Sequence, residues 1–416
     1  MKTLFQYRCS ECNHPYERAE VRYLCPVCAN KNKPNEPLHG VLEVVFPASI
    51  NKIDTRNFRE LIAAFTPLET EYYPKLPVGN TPFHPAKRLG NYFEYANLWI
   101  KNDGLNPSGS LKDRASWLLV GEANRLGIDT IVAASTGNAA SALAAVAAAE
   151  GKRAIIFVPE SAPRGKLLQM LLCGAQVIPV QGTYDDAFAI SLAYTNSYPG
   201  LNRNTAYHPL TIEGKKTAGL EIYFQNQCRI PDAIVIPVGD GVILRGIYKA
   251  FADLLLHGII DHLPRLIGIQ AEGSAAIHRF VVSGKYTSVE HPHTVADSIA
   301  VSTPSNAFLA YDAIQKTNGC TIVVSDEEIL SAQAILASHS GVFAEPAAAT
   351  TVAAIPYLSK QANLDKSTQI VLLITGHGLK DPAPALARIT VPAAVKTLDE
   401  AVARIVTDTE SRGNRS

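Results

Sequence analysis

A chain of 416 residues with 47% hydrophobic and 18% charged side chains is long enough for two or three well-packed domains and too apolar to be disordered or fibrous. Lys plus Arg and Asp plus Glu both total 38, so the net charge is zero and no obvious basic footprint is left for a nucleic-acid backbone. Met1 to Phe5 runs straight into polar residues without the apolar core of a signal peptide, and the alanine-rich run Ala139 to Ala149 is too short to span a bilayer; a cytoplasmic protein with no membrane partner is the expectation.

The first element is a pair of knuckles, Cys9-Ser-Glu-Cys12 and, twelve residues on, Cys25-Pro-Val-Cys28. That spacing suits four thiolates around a structural zinc, or a degenerate ribbon of the same shape, with a disulfide pairing as the alternative. Four cysteine ligands leave no open coordination position, so a metal here is structural. Arg8, Arg18, Arg22, Lys31 and Lys33 are offset by Glu11, Glu17, Glu20 and Glu36, which argues against a nucleic-acid ribbon. Lys31 to Pro37 reads as a linker, Leu42 to Phe46 as an edge strand, and Leu98 to Lys101 as a strand entering a polar loop. Cys173, Cys228 and Cys320 sit among apolar neighbours, as buried thiols do.

That loop is Asn106-Pro-Ser-Gly-Ser-Leu-Lys112-Asp-Arg114. It reads as a turn closing at Ser110 as a helix N-cap, which places Lys112 in a first helical turn. The helix dipole disfavours a cation there by roughly 0.3–1 kcal/mol, and the same field lowers the amine's proton affinity, as Schiff-base chemistry requires. The plainer reading is a solvated lysine offset by Asp113.

Beyond Lys112, helices and strands alternate. Strands are expected at 130–135, 154–159, 176–180, 233–238, 266–270, 321–324 and 370–374, and helices at 139–150, 166–173, 184–194, 213–225 and 244–257. Short apolar strands between helices predict parallel sheets covered on both faces, in two α/β layers split near residue 210. Such sheets bind ligands beyond the carboxyl ends of their strands. Three junctions stand out there: Ser135-Thr136-Gly137-Asn138-Ala139, suited to a carboxylate at a helix N-terminus; Gly239-Asp240-Gly241-Val242-Ile243, suited to a phosphate; and Thr375-Gly-His377-Gly-Leu379. No dinucleotide fingerprint and no GxxxxGK[ST] is present. An activatable lysine with one cradle for a carboxylate and one for a phosphate describes pyridoxal 5'-phosphate held as a Schiff base.

Ser108-Gly-Ser-Leu-Lys112-Asp-Arg114, Ser135-Thr-Gly-Asn138, Glu213-Gly-Lys-Lys-Thr217 and Thr375-Gly-His-Gly-Leu-Lys-Asp381, in this order, resemble the threonine synthases of the tryptophan-synthase-β group of pyridoxal-phosphate enzymes. Gly182-Thr-Tyr-Asp-Asp-Ala187 and Ser325-Asp-Glu-Glu-Ile329 are similar to that family too. The resemblance implies two doubly wound open-sheet α/β domains of fold type II behind a zinc-ribbon-like segment. The expected division is 1–45 for the ribbon, 46–95 with 211–390 for the large cofactor domain, 96–210 for a small mobile domain, and 391–416 for a C-terminal helix and tail, with 409–416 disordered. It further implies that Lys112 carries the cofactor and shuttles protons, and that Asn138 bonds the ring hydroxyl. Ser135, Thr136, Asn138 and Ala139 would hold the substrate carboxylate, Gly239, Asp240, Gly241, Val242 and Ile243 the cofactor phosphate, and Thr375 the pyridine nitrogen. His377 is left as either a supporting partner or packing. The implied reaction takes O-phosphohomoserine, a small amino-acid phosphate, and water to threonine and phosphate; a sister enzyme such as a cysteate synthase, a phosphoserine-type β-replacement enzyme or a threonine or serine dehydratase is the alternative. A homodimer is compatible with the sequence, which is otherwise silent on assembly. Two positions depart from the family pattern. Thr211 stands where an arginine usually grips the substrate phosphate, leaving Lys166, Lys215 or Arg245 for that task, and Asp240 stands where asparagine is common, which calls for a cation such as Arg245 beside it.

Overall fold

The computed structural model describes residues 5–47, 54 and 56–413, with side chains described to residue 405. The cysteine segment is a small antiparallel sheet in which β1 (Gln6–Cys9) lies between β2 (Pro15–Tyr16) and β3 (Leu42–Val45). Alternation sorts its faces: Tyr7, Cys9, Leu42 and Val44 are buried, and Gln6 and Arg8 are exposed. The Sγ atoms of Cys9, Cys12, Cys25 and Cys28 all lie within 4.8 Å of one another. Arg18 reaches Glu122 at 2.5 Å, the Asn202 N–H donates to the Tyr23 hydroxyl at 3.0 Å, and Arg245 clamps both oxygens of Glu43 at 2.7 and 2.6 Å, so the segment is tied to the body at three places.

β4 (Phe83–Pro85) and β5 (Leu98–Asn102) begin a second sheet. β6 (Thr130–Ala134), β7 (Arg153–Pro159), β8 (Gln176–Val180) and β9 (Leu201–Asn202) form a third, parallel throughout, in the order β8-β7-β6-β9. β10 (Ala233–Pro237), β11 (Arg265–Ala271), β12 (Cys320–Val324) and β13 (Ile370–Ile374) complete the second in the order β12-β11-β10-β13-β5-β4, where β4 alone is antiparallel. Every residue of β10 and β13 is buried, which is why these strands are continuous apolar runs. β5 pairs with β13, so it joins the six-stranded sheet; the sequence had assigned it to the small domain beginning at 96. Backbone pairing, which sequence pattern does not encode, decides that placement.

Two helices bring the sheets' motifs together. Lys112–Leu126 and Leu210–Gln225 approach so closely that a Cβ on Gly214 would lie 2.4 Å from the Arg114 carbonyl oxygen. Glycine is required there, and the contact sets Lys215 beside the start of the Lys112 helix. Cys173, Cys228 and Cys320 are only half-buried, since Cys173 and Cys320 stand at the ends of elements and Cys228 in the turn after the Leu210–Gln225 helix.

Residues 1–382 form one compact unit and 383–416 a second. In the second, the helix expected over 398–405 runs from Leu398 to Gly413, and so takes in residues expected to be disordered. Asp399 and Glu400 in its first turn complement the helix dipole, and the Thr397 hydroxyl accepts from the Glu400 N–H at 3.2 Å. Among the described residues no helix is long and apolar enough to cross a membrane.

Candidate active site

The lysine loop is shaped by backbone hydrogen bonds. Gly109, at φ +88°, donates to the Asn106 carbonyl at 2.8 Å and accepts from the His377 N–H at 2.9 Å, and the Leu111 N–H donates to the Thr375 carbonyl at 2.9 Å. Ser110 and Gly376 thus form an antiparallel bridge that stitches this loop to the turn after β13. The helix begins one residue later than Ser110 suggests: Leu111 holds the N-cap position without a side-chain cap. Backbone carbonyls serve the first turn, Ser110 accepting from the Asp113 N–H at 3.2 Å and Leu111 from the Arg114 N–H at 3.1 Å, while the Asp113 carboxylate turns back to accept from the Ser108 N–H at 2.7 Å and from its hydroxyl. Asp113 therefore does not offset Lys112, and burial raises its carboxyl to about 6.

Arg114 locks this helix end in place. Its guanidinium is 1% exposed and grips Asp103 at 2.6 and 2.9 Å and Glu221 at 2.7 and 2.7 Å, while Lys101 donates to Glu221 at 2.6 Å. Two cations and two carboxylates taken from β5, the turn after it and both helices make a neutral buried cluster. Burial alone raises the Glu221 carboxyl, but Arg114 and Lys101 outweigh it and hold the group at about 2.

Lys112, half-buried, opens into a cavity lined by Thr205, Lys215, Gly239 to Leu244, Ser298, Glu345 and Thr375. Burial lowers the Lys112 amine, opposed by Glu345 and Asp240 and aided by Arg203. Gly241, at φ +85°, is the N-cap of the Val242–Leu256 helix, whose free N–H groups face the same cavity end. A Cβ on Gly241 would lie 2.7 Å from that of Ala310, so the turn is pressed against its support and tolerates only glycine. Asn138 is buried at the start of the Asn138–Ala149 helix and donates to Glu345 at 2.8 Å. Glu345, 2% exposed, also accepts from Ser298 at 3.3 Å; burial raises its carboxyl against the pull of Asn138 and Lys112.

Of the residues singled out in the sequence, the cavity gathers Lys112, Gly239, Asp240, Gly241, Val242, Ile243 and Thr375, and Asn138 joins it through Glu345. Ser135 and Thr136 lie in the turn leading to Asn138 and Ala139 follows it in the helix, all three half-buried and outside that lining; the Ser135 hydroxyl accepts from the Gly137 N–H at 3.2 Å. His377 caps the short turn Gly378–Lys380 through Nδ1, which accepts from the Leu379 N–H at 3.1 Å, and packs on Phe343. Arg245 is not the partner of Asp240: it is spent on Glu43 and Asp312, because its helix carries it away from the turn toward the cysteine segment. Asp240 accepts instead from the Ser305 N–H and hydroxyl, each at 3.4 Å, and Lys215 is the cation across from it. Lys166 pairs with Asp297 at 2.6 Å. The sequence reading missed Glu345 and Arg203. Glu345 had a signal, a lone carboxylate directly ahead of the wholly buried helix Pro346–Ala353.

The donor set fits a phosphorylated aldehyde: an amine of lowered proton affinity, a helix N-terminus on a glycine turn and a hydroxyl at Thr375 share one cavity. Residues 75–376 match the family described as pyridoxal-phosphate dependent enzyme, and the chain belongs to that family. Its relatives are more specific. The chain is 37% identical to the threonine synthase of Methanosarcina acetivorans, over 91% of this chain and 93% of that one, and 36% identical to the threonine synthase of Methanocaldococcus jannaschii, over 91% and 94%. The fold is similar to that of maize serine racemase, at a TM-score of 0.65 and 20% identity over 87% of this chain and 98% of the other.

Proposed function

We propose that this chain is a pyridoxal-phosphate-dependent lyase that converts O-phosphohomoserine and water to threonine and phosphate. The observation that carries the reading is the meeting of Lys112, Thr375 and the Gly239–Ile243 turn in one cavity, and full-length likeness to threonine synthases supports the substrate. The cofactor, when bound, supplies an electron sink for carbanions at the substrate's Cα and Cβ. Lys112 holds it covalently, and its amine takes and returns the protons at those carbons. The first-turn N–H groups after Gly241 hold the cofactor phosphate, Thr375 meets the ring nitrogen as a neutral hydroxyl, and Asn138 meets the ring hydroxyl. The Ser135–Ala139 turn receives the substrate carboxylate at a helix N-terminus. The body built on the four-stranded sheet is the part that closes over the cavity and keeps bulk water out.

Purified protein is expected to release phosphate from O-phosphohomoserine with threonine as the amino-acid product. Release of pyruvate from serine, or turnover of phosphoserine with sulfite, in place of that reaction would overturn the substrate.

Cys9, Cys12, Cys25 and Cys28 hold a structural zinc in this reading, supported by the closeness of their four Sγ atoms, all within 4.8 Å of one another. A strong chelator is expected to lower the thermal unfolding midpoint, followed by circular dichroism, while the folded fraction keeps its turnover number. Loss of turnover without loss of fold would give the metal a catalytic role.

A further inference from the structure

We infer that Arg203 and Lys215 form a phosphate seat at the side of the Lys112 cavity, with Thr211 shaping the loop that presents it. Arg203 follows β9, at the carboxyl end of its sheet, and is 1% exposed. Its Nε donates to Ser116 at 3.2 Å, one helical turn beyond Lys112 on the same face, and one terminal nitrogen donates to Thr205 at 3.1 Å. Thr205 lines the cavity. Among the described residues the other terminal nitrogen has neither a partner nor access to solvent, and no carboxylate forms an ion pair with this guanidinium. Lys215, also 1% exposed, lines the same cavity and forms no ion pair or hydrogen bond among the described residues.

Burial, with Lys112 and Arg203 nearby, pushes the Lys215 amine well down, and burial lowers Arg203 as well; a buried cation without a counter-ion is costly by several kcal/mol, and an anion received between them would relieve both groups. Lys112 faces Glu345 and Asp240, Lys215 faces Asp240, and Arg203 faces Asp113 and Tyr184, yet among the described residues neither Arg203 nor Lys215 forms an ion pair with any of them. A phosphate monoester carries two charges and planar acceptor edges, which match a guanidinium fork and an adjacent ammonium. Thr211, fully buried, explains the departure at its position. Its hydroxyl donates to the His208 carbonyl at 2.8 Å and accepts from the Ala206 N–H at 3.2 Å, holding Ala206 at φ +63°. That left-handed residue turns the chain directly after Thr205, so Thr211 organises the loop that carries Arg203 and Thr205, of which Thr205 lines the cavity and Arg203 stands behind it.

This inference rests on the cavity being the cofactor site and not on which amino acid is turned over. The phosphate belongs to substrate and product or to the cofactor, and one experiment separates them: inorganic phosphate titrated calorimetrically into the holoenzyme, with cofactor content read from its absorbance. The wild type is expected to bind phosphate, with affinity at least tenfold weaker in Arg203→Gln and Lys215→Gln and largely kept in Arg203→Lys. Weakened phosphate binding at normal cofactor content assigns the seat to the substrate's phosphate; loss of cofactor that excess cofactor restores assigns it to the cofactor's. Unchanged phosphate affinity and cofactor content in both glutamine variants would overturn the seat, even with O-phosphohomoserine turned over normally. Phosphate binding by the wild type without turnover of that substrate would leave the seat standing and remove the substrate reading. If Arg203→Gln does not fold, the wild type decides: its unfolding midpoint rises with phosphate and not with chloride of equal ionic strength, and failure to rise overturns the seat.

Discussion

Lys112→Ala is expected to leave a folded, colourless protein whose turnover falls by at least about 10³-fold, the scale on which a positioned acid–base group acts. The side chain opens into the cavity and forms none of the hydrogen bonds that shape its loop; those run through the backbones of Gly109, Leu111 and His377. Stability should therefore change little, because truncating a half-buried side chain that makes no fixed contact removes no structural partner. Borohydride treatment of the wild type with cofactor, followed by peptide mass mapping, should place the fixed cofactor on Lys112. A coloured alanine variant with residual turnover near wild type would exclude Lys112 from the chemistry.

The second large effect concerns the fold beneath that lysine. Removing the Glu221 carboxylate, as in Glu221→Ala, strips Arg114 of two hydrogen bonds and Lys101 of its ion pair, and also frees the Asn80 N–H, which donates to Glu221 at 2.7 Å. Leaving buried cations without partners costs about 3–5 kcal/mol, to be read as a lowered urea midpoint at unchanged slope. The pH dependence follows from the same carboxyl. Its folded value of about 2 lies below the ordinary carboxylate range near 4.3, so its contribution to stability is complete above that range and is lost as pH falls toward 2. Wild type should lose stability over that acid window more steeply than Glu221→Ala. Parallel acid curves for the two proteins would show that this cluster does not govern acid unfolding.

Period and punctuation carried most of the architecture. The strand Ile370–Ile374 ends where its apolar run ends, since a parallel strand covered on both faces must be apolar along its whole length, whereas Gln176–Val180 lies at a sheet edge with only Val180 buried. The loops after Ala134, Pro237 and Ile374 were legible for the same reason, as glycine and hydroxyl residues follow each run at once. Sheet membership was not legible, because β5 is paired by hydrogen bonds with a strand 272 positions away, Leu98 with Ile370. Arg203 was hidden by the shortness of β9, two residues that give no periodic signal. Nor does sequence tell a spent cation from a waiting one. Arg245 and Lys215 both sit on helices beside the Gly239–Ile243 turn, and only the direction of each side chain separates a guanidinium held by Glu43 and Asp312 from an amine that lines the cavity.

The bridge between Ser110 and Gly376 has a mechanical meaning. Because the Leu111 N–H holds the Thr375 carbonyl and the Gly109 carbonyl holds the His377 N–H, the loop that carries Lys112 and the turn that carries Thr375 travel as one jaw. A substitution that shifts the end of β13 should drag the amine along with the hydroxyl, preserving the span between them while tilting both against the glycine turn. Damage at that strand end would then show first as a shift of both groups against the Gly239–Ile243 turn, with the distance between Lys112 and Thr375 left intact.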